Sequence, residues 1–173
     1  KPTNVGAKEM NPDVLMRKLR ETDIPSIIDK ALELAARAPS YTIRVLDGIY
    51  VNRKIENDKA LADKILNKLD LSKMSAEAVQ RFGVMFIDVL SLPELESALD
   101  RMLNAGLREK IESDLTNNQT VGYGEAFGDF YERAVDQHGR KLEKNLSSYP
   151  NIEFLKNSYA YAMDTEKIDN ILE

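Results

Sequence analysis

Apolar residues recur three and four positions apart along almost the whole chain, and residues that cap or break helices punctuate the pattern at short intervals. That periodicity makes the chain all-α. Asn11-Pro12-Asp13 opens a first helix: Asn accepts bonds from free N–H groups, and proline loses nothing at the first helical position. Val14, Leu15 and Leu19 give it an apolar face. Pro25 opens a second, in which Ile27, Ile28, Ala31, Leu32 and Ala35 recur until Ala38-Pro39 stops the run.

Residues 41–51 read two ways. They are rich in β-branched side chains, and Asp47-Gly48 can form a type I′ turn, which leaves room for a small β-hairpin at 41–51. Ile43, Leu46, Tyr50 and Ile55 also fit a helix behind a Ser40 cap. An isolated hairpin in a helical chain is marginal without cover, so a helix is the expectation.

Leu61, Ile65, Leu66 and Leu69 form the next stripe, and Ser72 or Ser75 caps the helix after it. Val79, Phe82, Val84, Met85, Phe86, Val89 and Leu90 make that segment apolar around much of its circumference, which places it centrally. Ser91-Leu-Pro-Glu94 has capping-box spacing. Leu95, Leu99 and Met102 then lead to a break near Asn104-Ala105-Gly106, and Leu107, Ile111 and Leu115 follow. After a polar loop at 116–124 come Phe127, Phe130 and Tyr131. Pro150 interrupts the chain before Ile152 and Leu155, and Ile168, Ile171 and Leu172 suggest a short last helix.

The expected architecture is an irregular multi-helix bundle of seven to nine helices. Residues 1–10 form a loose lead-in and 11–173 a single helical domain, with Phe82, Val84, Phe86, Leu95, Leu99, Phe127 and Phe130 in the core. At 173 residues and 43% hydrophobic, the chain can support such a core. It begins at Lys1 without methionine, which leaves room for processing or for excision from a larger protein. No apolar run reaches the ~20 residues of a membrane span. The chain reads as soluble, in the cytoplasm or exported.

The missing residue types narrow the chemistry. The chain holds no cysteine, no tryptophan and one histidine, His138. Thiol nucleophiles, thiolate metal sites and His-rich metal sites are excluded together. No metal site and no cofactor are expected. Gly122-x-Gly124-x-x-x-Gly128 departs from a dinucleotide fingerprint by one position and follows no strand, so it reads as loop glycines entering a helix. Net charge is −5. Residues 1–60 carry 11 basic and 9 acidic side chains, the remainder 13 and 20, and neither part holds a basic stripe for nucleic acid.

Two constellations remain. Glu125, Asp129, Glu132 and Asp136 share one helix face, where a carboxylate pair could serve an enzyme, although a solvated acidic face accounts for them as well. His138 precedes Gly139, a helix-ending residue type, and suits a helix C-terminus. Five of the seven tyrosines follow residue 120. Tyrosine joins apolar area to a polar tip, which suits interfaces, so Tyr123, Tyr149, Tyr159 and Tyr161 are the candidate binding residues. The functional expectation is a non-catalytic helical interaction or scaffold module whose protein partner presents a basic surface. The alternative is a helical enzyme using a carboxylate pair of 125–136.

Overall fold

The computed structural model describes residues 10–117, 122–159 and 163. Among them every regular element is helical and none is a strand. Helix α1 spans Pro12–Glu21, and the Asn11 side chain accepts the Asp13 N–H at 2.8 Å. Its buried face is Leu15, Met16 and Leu19. Met16 takes the place expected for Val14, which is only half-buried. Helix α2 (Pro25–Arg37) buries Ile27, Ile28, Ala31, Leu32 and Ala35, as its spacing predicts.

Residues 41–51 are helical and form no hairpin. Helix α3 runs Thr42–Val51 and enters from a 3₁₀ turn over Pro39–Tyr41, with no side-chain cap from Ser40. Packing decides the matter: Val45, Leu46 and Ile49 are fully covered. Of the face expected from periodicity, Leu46 is buried, Ile43 and Ile55 are half-buried and Tyr50 is exposed. Asn52, itself buried, closes the end of α3. Its Nδ2 donates to the carbonyls of Leu19 at 2.8 Å and Thr22 at 2.7 Å, tying α3 to the end of α1.

Helix α4 (Lys59–Lys68) is capped by Asp58. Ser75, not Ser72, caps helix α5 (Ala76–Phe86); Ser72 donates to Asp70 in the preceding turn. Helix α5 is the centre of the core. It packs most extensively against helix α8 (Tyr123–Lys144) and next against α3. Phe82 and Phe86 are buried with ring centroids 4.8 Å apart, and Phe127 and Phe130 of α8 are buried beside them. The close approach requires Gly83, because a Cβ there would lie 2.9 Å from Phe130 Cδ2. Val84 departs from the expected core and is half-buried, on the α5 edge that neither neighbour covers.

Helix α6 (Leu92–Met102) begins with the expected capping box: Ser91 Oγ accepts the Glu94 N–H, and Glu94 Oε1 accepts the Ser91 N–H. Leu95 and Leu99 are fully buried. A π-type turn over Leu103–Leu107 separates it from helix α7 (Arg108–Thr116). His138 closes the first helical stretch of α8, as its place before a helix-ending residue predicts. Gly139, at φ +48°, bends it, and the helix resumes to bury Leu142. Among the described residues, a further helix runs through 150–159, with Asn151, Ile152 and Leu155 buried. Residues 1–9 of the lead-in and the segment around Ile168, Ile171 and Leu172 lie outside the described residues. No helix among the described residues is long and apolar enough to cross a membrane.

Candidate functional site

Three of the four candidate tyrosines fall on described residues, all half-buried. Tyr123 is the first residue of α8 rather than part of the loop. Its hydroxyl donates to the Met74 carbonyl at 2.7 Å, and its N–H donates to Asp114 Oδ2 at 2.9 Å. Lys110 Nζ stands 5.2 Å from the centre of its ring. Tyr149 packs against the core just before helix 150–159. Tyr159 lies against Gly128, its ring 6.2 Å from that of Tyr131, and its hydroxyl donates to Glu132. Tyr161 lies outside the described residues. Tyr123 and Tyr159 meet different neighbours, since Gly128 and Glu132 lie about 8 and 14 Å along α8 from Tyr123 at 1.5 Å per residue.

The carboxylates of α8 line neither of the two clefts described below. Glu125, Glu132 and Asp136 are exposed, and Asp129 pairs with Arg133 at 2.9 Å. Among the described residues no group of three or more His, Asp or Glu is arranged to hold a metal ion. His138 is half-buried at the bend, with its Nε2 shielded from solvent and without a partner among the described residues. Burial pushes its pKa below the usual histidine value, against the opposing effect of a hydrogen bond to the Leu90 backbone.

A site that the periodicity did not indicate opens between α3, α5 and α8. It is a groove of ≈ 400 Å³ with Ile43 and Asp47 on the α3 side. Gln80, Arg81 and Val84 line it from α5, and Arg133 from α8. The cause lies in the central helix. With its apolar face shared between α3 and α8, α5 leaves positions 77, 80, 81 and 84 on the edge between them. Arg81 Nε pairs with Asp47 Oδ1 at 2.6 Å, and the guanidinium lies 5.3 Å from the centre of the Tyr50 ring. Tyr50 is 44% exposed and Val51 beyond it 52%. Ile43, Tyr50 and Val84 are apolar residues that helical spacing assigned to the interior; Ile43 and Val84 line this groove instead, and Tyr50 is exposed and meets only its Arg81 edge. A smaller cleft of ≈ 220 Å³ between α4 and α6 has an apolar floor of Leu66, Leu90 and Ala98. The Lys59–Asp63 ion pair edges it at 2.8 Å, and Arg101 crosses it to the Leu66 carbonyl at 3.0 Å.

The larger groove is lined mainly by polar and charged side chains, with half-buried Ile43 and Val84 between the Arg81–Asp47 pair and Arg133. That arrangement suits contact with another surface, where apolar area gives affinity and fixed charges give register. No family model matches the chain, and no curated protein or solved structure matches it either.

Proposed function

We propose that this chain is a non-catalytic helical module that binds another protein through the α3–α5–α8 groove. The observation that supports the reading is the meeting of half-buried Ile43 of α3 and Val84 of α5 in one groove, with exposed Tyr50 stacked against Arg81 of its lining. Single exposed apolar residues are ordinary on a protein surface, whereas a contiguous set beside oriented charges is what a docking surface needs. The enzyme alternative has less behind it. Of the α8 carboxylates, Asp129 is engaged by Arg133, Glu132 by Tyr159, and Glu125 and Asp136 face solvent.

Photocrosslinking in the source cell tests this reading. A benzophenone side chain replacing Gln80, exposed beside the groove, is expected to form a covalent adduct with a protein partner. Val84→Asp should abolish the adduct while leaving the helical circular-dichroism spectrum unchanged. The same probe at Tyr149 reports on the tyrosine surface. Adducts at neither position would overturn the module reading, and an adduct at Tyr149 alone would move the site to the tyrosines.

A further inference from the structure

We infer that the cleft between α4 and α6 binds a small apolar carboxylate, with its ring or branched chain on the floor of Leu66, Leu90 and Ala98 and its carboxylate on Arg101. The site is separate from the α3–α5–α8 groove and does not depend on it. Size is the first argument. A cavity of about 150 Å³ is enough for benzene, so ≈ 220 Å³ accepts one aromatic ring or one branched aliphatic group. It falls short of the roughly 300 Å³ at which sites for larger ligands begin. Apolar atoms make up most of the lining, with Pro93 and Ala62 extending the floor.

Charge is the second argument. Lys59, Asp63, Glu94 and Arg101 line the cleft, two of each sign, and they differ in how far each is already engaged. Lys59 Nζ pairs with Asp63 Oδ2 at 2.8 Å. Glu94 Oε1 accepts the Ser91 N–H at 2.9 Å in the capping box. That bond first, and the nearby charge of Lys59 further, hold the Glu94 carboxyl below the usual carboxylate range. Both carboxylates thus share Lys59, and Arg101 makes no ion pair among the described residues. Its Nη2 donates to the Leu66 carbonyl at 3.0 Å, which holds the half-buried side chain beside a floor residue. The other N–H donors of the guanidinium have no acceptor among the described residues. A planar guanidinium with free donors receives a carboxylate in two parallel bonds. A cationic ligand would have to compete with Lys59 for Asp63 and with the Ser91 N–H for Glu94. An apolar floor with one fixed polar group above it is the ordinary make-up of a small-molecule site.

Three probes that share a phenyl ring test the inference: phenylacetate, 2-phenylethylamine and 2-phenylethanol, each titrated into the ¹⁵N-labelled protein. Phenylacetate should shift the amides of Ala62, Leu66, Ala98 and Arg101 with a Kd of about 1 mM, as its size allows. It should bind at least about tenfold more tightly than the amine or the alcohol. Arg101→Gln should remove that preference. Ser97→Leu, at an exposed position on the rim, should fill the cleft and abolish the shifts while the helical circular-dichroism spectrum is unchanged. A short peptide ending in a free phenylalanine carboxylate identifies the source of the ligand. Binding tighter than that of phenylacetate marks a protein chain end, and weaker binding or none marks a free acid. Equal affinity for the three probes, no shifts by phenylacetate well above that concentration, or shifts confined to another face would each overturn the inference. So would a carboxylate preference that survives Arg101→Gln, or shifts that survive Ser97→Leu.

Discussion

Glu96 of α6 holds Asn151, the residue that follows Pro150 at the head of the last described helix. Its Oε2 accepts the Asn151 backbone N–H at 2.8 Å and the side-chain Nδ2 at 2.6 Å, and its Oε1 accepts the Ile152 N–H at 3.1 Å. The carboxylate thus satisfies free N–H groups at the positive end of the helix dipole from a different helix. Asp100, one turn on, takes a further bond from Asn151 Nδ2 at 3.2 Å. This clamp joins positions 55 residues apart.

Glu96→Ala should lower stability by about 1–3 kcal/mol, because charge-assisted bonds are lost and the backbone N–H groups of buried Asn151 and Ile152 lose their acceptor. Hydrogen exchange should show the loss concentrated in 150–159. Unchanged protection there would show that Ile152 and Leu155 dock the helix without the carboxylate.

Gly83→Ala sets two effects against each other. Alanine gains up to about 1 kcal/mol of helix propensity. Its Cβ, however, would sit 2.9 Å from the ring of Phe130, which is buried and cannot swing clear. Overpacking of this kind costs about 1–3 kcal/mol, so the melting temperature should fall. A rise would mean that α5 and α8 separate more easily than their packing implies.

The Tyr123 hydroxyl satisfies the carbonyl of buried Met74, so Tyr123→Phe should cost about 0.5–1.5 kcal/mol. Tyr149→Ala and Tyr159→Ala, read by both melting temperature and adduct formation, separate anchoring from partner contact. Loss of stability without loss of the adduct marks a tyrosine as structural.

His138 should make stability fall as the solution becomes acidic. Its folded pKa lies below the ordinary 6.5 because its ring is desolvated. Above that value the ring is neutral in both states and contributes no pH dependence. As pH falls through it, the unfolded chain takes up the proton first, and stability is lost until the folded value is passed. Thermal melts from about pH 7 to 5 should show the decline in the native protein and a flatter profile in His138→Gln. Identical profiles would count against the histidine.

The helices were legible because the signals that start and stop them are local. Asn11 and Ser75 cap the helices they precede, and Ser91 with Glu94 forms the box its spacing promises. These interactions span four residues or fewer, so no tertiary knowledge is needed to read them. The bend at Gly139 was legible as a break but not as a bend, because resumption of the helix depends on burying Leu142.

The sequence by itself determined the all-α class, the positions of most helices, the central role of the segment around Phe82 and Phe86, and the exclusion of thiol and His-rich chemistry. Only the tertiary structure decided which apolar edge of each helix is covered. Val84 and Phe86 are equally apolar by pattern, yet Phe86 is fully buried and Val84 is left half-buried at the groove. Tertiary packing likewise turned residues 41–51 from an ambiguous stretch into α3, and brought Glu96 to Asn151. The physical reason is range. Caps and helical spacing act within one or two turns, whereas burial depends on which neighbour arrives, and that is set by contacts between residues far apart in the chain.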